Sequence, residues 1–142
     1  MSLEELLRNK IIRRTAPDKS SALNSLKRAR RDIDTAKTLI SNGKFDWSLA
    51  VSYNAMLTAG RALMLHKGYR PSSTEGHLAV VQFLTVTVGA KLTDRMIMVM
   101  NGMRKKRHRI VYEEMDIVSS DEAEQAVRWA EEFVSMITDI IH

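Results

Sequence analysis

Phe45–Lys67, FDWSLAVSYNAMLTAGRALMLHK, is the stretch on which the fold turns. Apolar residues recur at helical spacing on every side of it, from Trp47, Leu49 and Val51 through Tyr53, Met56 and Ala59 to Leu63 and Leu65. A helix with no polar face has to be enclosed, by neighbours of its own chain or by a second subunit. Its polar exceptions, Asn54, Thr58 and Arg61, are spaced four and three and so share one stripe. That stripe faces either a wet cleft or plain solvent.

Upstream, Gly43 separates this helix from another that starts after Thr15-Ala16-Pro17-Asp18 and runs to about Asn42. Ala22, Leu26, Ala29, Ile33, Ala36 and Ile40 give it a 4-3-4-3-4 seam for one partner face. Residues 2–14 read as a short amphipathic helix, so that 1–17 form an N-terminal helix and linker. Downstream, Gly68 and Pro71 end the central helix, and both prolines, Pro17 and Pro71, are expected in loops. Residues 77–88 alternate Val and Thr in a strand-like way. A lone strand has nothing to pair with, so they are expected to be a short helix. Another helix is expected from Lys91 to about Arg109, apolar at Leu92, Met96, Val99 and Met103. Ser119 and Glu122 form a capping box for the last one. The expectation is all-α: one domain over residues 1–142, an up-and-down bundle of four long helices plus short ones.

With no cysteine among 142 residues, disulfides and thiolate metal sites are excluded. The four histidines lack metal-ligand spacing, and neither a metal nor a cofactor is expected. No apolar run approaches 18 residues and no signal-peptide pattern is present, which suits a soluble, cytoplasmic protein without membrane contact. Charge is unevenly spread. Residues 113–142 hold nine of the 17 acids and only Arg128 of the 22 Lys and Arg. The basic remainder suits an anionic partner or self-association of unlike faces; equally, an acidic helix lying beside basic ones accounts for it.

The densest basic run is RKKRHRIVYEE, Arg104–Glu114. The apolar seam Leu92, Met96, Val99, Met103 continues to Arg107 and Ile110, so Arg107 is aimed at the bundle while Lys105, Lys106 and Arg109 point away. An arginine at a core edge is either paired with an acid, here Glu113, Glu114 or an acid of the last helix, or lines a cleft as an anion ligand. Arg104, one turn back, reaches the same neighbourhood. Lys105 and Lys106 are either a solvated helix end or phosphate contacts.

Ser52–Leu84, SYNAMLTAGRALMLHKGYRPSSTEGHLAVVQFL, resembles the HEPN domain, whose second long helix reads like Tyr-x-Ala-x-x-x-Ala-x-x-Ala-Leu-Leu. A Gly-x-x-Pro loop and a His before an apolar helix follow in that family. Tyr53, Ala55, Ala59, Ala62, Leu63, Gly68, Pro71 and His77 occupy those places. Arg107–Tyr112, RHRIVY, looks like the family's Arg-Asn-x-x-x-His signature, and the acidic last helix completes a likeness over about residues 20–141.

The resemblance implies a homodimeric bundle of four to five helices. It also implies one of two activities: metal-independent ribonuclease chemistry of toxin–antitoxin type, or noncatalytic RNA or nucleotide binding beside a minimal nucleotidyltransferase. It gives Arg107 the role of phosphate ligand and the signature His that of acid/base. Here the Asn place is His108 and the His place is Tyr112, similar to HEPN proteins whose signature ends Arg-x-x-Ala-Asp-Tyr. Tyrosine near its ordinary pKa of about 10 is a poor base at neutral pH. Histidine is the usual acid/base side chain at neutral pH, but His108 projects roughly 100° from Arg107 on a continuing helix. The expected site is thus Arg107, His108 and Tyr112, with Arg104, Lys105, Lys106, Arg107 and Arg109 on phosphates and Asn54, Thr58 and Arg61 along the cleft. His77 is a cap, a packing residue or a site member. The expected function is RNA or nucleotide binding by a dimer; the alternatives are a ribonuclease and a structural helical interaction module.

Overall fold

The apolar and polar spacings of the chain resolve into six helices and one short ribbon in the computed structural model, which describes residues 2–73, 76–88 and 94–142. In chain order these are α1 (Leu3–Arg8), β1 (Ile12–Arg14), α2 (Lys19–Ser41), α3 (Phe45–Lys67), β2 (Tyr69–Pro71), α4 (His77–Thr87), α5 (Asp94–Tyr112) and α6 (Ser120–Ile141). The mostly helical, up-and-down bundle is the expected one. Lys91 and Leu92, placed by sequence at the start of α5, lie outside the described residues.

The helix ends follow their sequence signals. The Asp18 carboxylate accepts from the Ser21 amide at 3.0 Å and starts α2. Ser119 and Glu122 exchange side-chain and backbone bonds as a capping box for α6. Gly68 takes φ +91 and ends α3, with Pro17 and the Thr15 carbonyl so near that a β-carbon would crowd both. The α2 seam from Ala22 to Ala36 is buried.

Enclosure of α3 comes from within the chain. α2, α4, α5 and α6 pack around it, and Tyr53, Met56, Ala59 and Leu63 are wholly buried. A second subunit is therefore not needed to cover this helix. Ser48 Oγ donates to the Ala36 carbonyl at 2.8 Å and ties α3 to α2. Gly60 lets α4 close in, since a β-carbon there would lie 2.5 Å from Val80 Cγ1.

Two local expectations fail together. The N-terminal helix does not run to residue 14: it stops at Arg8, Lys10 adopts a left-handed φ of 60°, and Ile12–Arg14 form a strand. Pro71 is not in a loop but closes the strand that pairs with it. The register is antiparallel, Ile12 against Pro71, Arg13 against Arg70 and Arg14 against Tyr69. Ile12 is buried, and burying a β-branched residue in an extended segment outweighs continuing a helix in which it would lose side-chain freedom.

The acidic last helix does lie beside basic neighbours. Lys37 pairs with Glu131 at 3.2 Å and Lys106 with Glu122 at 3.2 Å. No described helix is long and apolar enough to cross a membrane.

Candidate functional site

α5 runs antiparallel to α3, because the turn after α5 is held at the start of α3. The Asp46 carboxylate, in the first turn of α3, accepts the backbone N–H groups of Asp116 at 2.6 Å, Ile117 at 3.1 Å and Val118 at 3.0 Å. Asp116 sits at φ 56°, which curls the three amides onto one acceptor. This clamp sets the axial position of the Arg104–Tyr112 segment against α3.

At that level α5 sorts its basic run by face. Arg104 and Arg107 are half-buried, and the Nε atom of each is buried without a hydrogen-bond partner. Both guanidiniums are near Tyr53. Burial pushes the Tyr53 phenol above its ordinary pKa, while the positive charges of Arg104, Arg107 and Arg61 pull against that rise. The Tyr53 hydroxyl lies 3.5 Å from His77 Nδ1, with the two rings tilted at 5.7 Å. Thus α3, the first residue of α4 and the inner face of α5 converge on a Tyr–His pair beside three arginines.

Among the described residues no carboxylate lies within ion-pair distance of Arg104, Arg107 or Arg61. The acids that sequence offered to Arg107 are engaged elsewhere. Glu114 accepts from Arg109, with Nε at 2.8 Å, and Glu113 lies 3.9 Å from His108. Glu122 takes Lys106, and the hydrogen bonds from Lys106 and Ser119 hold its carboxyl below the usual range although burial opposes them. Of the two readings of Arg107, the ion pair is the one without a partner.

The rest of the expected site spreads out. Lys105 is exposed and unpaired, whereas Lys106 and Arg109 spend their charge on Glu122 and Glu114. α5 continues through Tyr112, so His108 does not swing toward Arg107. Its ring instead stacks on Tyr112 at 4.9 Å, and Tyr112 is 71% exposed. Five residues along a helix put Arg107 and Tyr112 about 140° apart. Within one protomer the signature therefore divides, Arg107 inward and His108 with Tyr112 outward. Asn54, Thr58 and Arg61 are half-buried along α3, and the charge of Arg61 acts on the Tyr53 phenol.

A model of the HEPN domain matches residues 22–140, from the start of the α2 seam almost to the end of α6. The chain belongs to the HEPN family. None of the curated proteins matches it. The HEPN match covers α2 to α6 and leaves α1 and β1 outside. The expected site did not include Tyr53, which the structure places against His77 and near the charges of Arg104 and Arg107. In a run of apolar residues a tyrosine reads as core, and only the contact with His77, 24 positions away, distinguishes it.

Proposed function

We propose that this HEPN protein is an RNA- or nucleotide-binding module that works as a homodimer without efficient catalysis, alongside a minimal nucleotidyltransferase or a toxin–antitoxin-type partner. The observation that carries the reading is the pair Arg104 and Arg107, each with a buried Nε lacking a partner and, among the described residues, no carboxylate within ion-pair distance. A guanidinium held this way costs desolvation that only an incoming anion repays, and its planar fork suits phosphate oxygens.

Cleavage of RNA without metal needs a group to take the 2′-hydroxyl proton and a donor for the leaving oxygen. His108 and Tyr112 face away from Arg107 in one protomer, so weak or absent cleavage is expected. The test is titration of the purified protein with single-stranded RNA and with nucleotides, followed by incubation with RNA in chelator. Arg107→Ala should weaken binding while the wild type leaves the RNA intact. Rapid metal-free cutting that His108→Ala abolishes would replace this reading by a ribonuclease. Unchanged affinity in Arg107→Ala would remove Arg107 from the site.

A further inference from the structure

The N-terminal ribbon collects cations that neither the fold nor the cleft uses. Arg8, Lys10, Arg13 and Arg14 follow one another without an acid between them, and Lys67 and Arg70 join them from the other side of the ribbon. All six are exposed. Among the described residues none has a carboxylate within ion-pair distance. Asp18 feels the charge of Arg70, but its carboxylate is committed to Ser21, taking the amide at 3.0 Å and the hydroxyl at 2.8 Å.

Register makes the cluster costly. Arg13 and Arg70 are direct cross-strand partners, so two like charges stand opposite each other on one face. Arg14, one residue on, lies with its partner Tyr69 on the other face: its guanidinium is 5.6 Å from the centre of the Tyr69 ring and donates to the Tyr69 hydroxyl at 3.2 Å. Tyr69 in turn packs on Phe83 of α4. Arg13 and Arg70 thus project from a ribbon braced on its opposite face. Repulsion between Arg13 and Arg70 disfavours the free protein and turns into attraction once an anion bridges them.

We propose that this ribbon is a second nucleic-acid contact, binding the phosphodiester backbone through Arg13 and Arg70. Guanidiniums outnumber ammoniums in the cluster, which favours bidentate phosphate oxygens. A membrane surface is the poorer fit, because α1, β1 and β2 expose no large hydrophobic side chain to anchor in lipid. Pro71 abuts Gly76, the residue before His77, so β2 ends next to the start of α4. The proposal stands on different side chains from the cleft reading, and the two fail separately. Residues 8–14 lie outside the part of the chain that the HEPN model matches, whereas Lys67 and Arg70 lie inside it.

Arg13→Glu is the informative variant, because it converts a like-charge pair into an opposite-charge one. Full-length wild type and variant are titrated by fluorescence anisotropy with labelled single-stranded RNA and with duplex DNA over a range of salt. Thermal melts and titrations with phosphatidylcholine–phosphatidylserine vesicles run in parallel. Affinity for RNA should fall about tenfold at low salt, and the log–log salt slope should shrink by about 0.7 for the lost phosphate contact. The melting temperature should hold or rise, a divergence that a merely structural role of Arg13 does not produce. Arg70→Gln should shrink the slope by the same amount. Loss on both nucleic acids assigns the contact to the backbone at large, and loss on RNA alone assigns it to RNA. Unchanged affinity and slope overturn the proposal, as does a loss confined to the vesicles. Arg107→Ala separates the two sites: if it keeps RNA affinity where Arg13→Glu loses it, the cleft reading fails and the ribbon stands.

Discussion

A guanidinium packed against protein with no acid beside it distinguishes anion site from ion pair by its effect on stability. If Arg107 were half of a buried pair, Arg107→Ala would cost about 3–5 kcal/mol. With its Nε unpartnered, Arg107→Ala should change the unfolding free energy measured in urea by no more than about 1 kcal/mol. Tyr53 carries a pH signature. Burial raises its folded-state pKa above the ordinary 10.0, so the folded protein holds the phenolic proton more tightly than the unfolded chain does. The stability linked to that proton is complete below pH about 10 and is lost as pH rises through the folded value. Tyr53→Phe should therefore flatten the alkaline side of the stability–pH profile while leaving the neutral region nearly unchanged. Arg107 was legible beforehand because it continues the Met96, Val99, Met103 seam. His77 and Tyr53 were not legible as a pair, since helical spacing says nothing about side chains on different elements.

Elements were read well where the signal is local. Seam, caps and glycines place α2, α3 and α6 almost to the residue, because each such signal acts within a turn or two. The ribbon was missed because β1 is three residues long and its partner lies beyond α2 and α3, and neither strand has a periodicity of its own. The Asp46 clamp was missed for the same reason: an acid in the first turn of a helix reads as a dipole partner, not as the acceptor for amides some 70 residues later. Asp46→Ala leaves the amides of Asp116, Ile117 and Val118 without that acceptor and should cost about 1–3 kcal/mol in chemical denaturation. Gly60→Ala gains a little helix propensity but drives a methyl into Val80, and the net effect should be a loss of about 1–2 kcal/mol, read in the same experiment.

For the whole molecule, α3 is satisfied inside the bundle, and any dimer has to be built from what α5 and its surroundings leave outside. Met98 is 73% exposed beside an open groove of about 510 Å³ lined by Leu49, Val99, Met103 and Trp129. Trp47, Tyr112 and Met115 are exposed where α3 begins and α5 ends. The Met-rich helix is thus divided, Met96, Met100 and Met103 serving the core and Met98 the surface. If the proposed homodimer is built on this face, Met98→Glu should shift sedimentation from twice the 16.2 kDa chain mass to the single chain without a change in helicity. The ribbon also orders events in time. It joins residues 12–14 to residues 69–71 across two long helices, and closing a loop of that length in an unformed chain costs about 3.5 kcal/mol of entropy. The helical hairpin of α2 and α3, joined at residues 42–44, closes far more cheaply and precedes it. Residues 2–14 should accordingly dock last and open first, exchanging amide hydrogens and meeting proteases ahead of α2, α3 and α6.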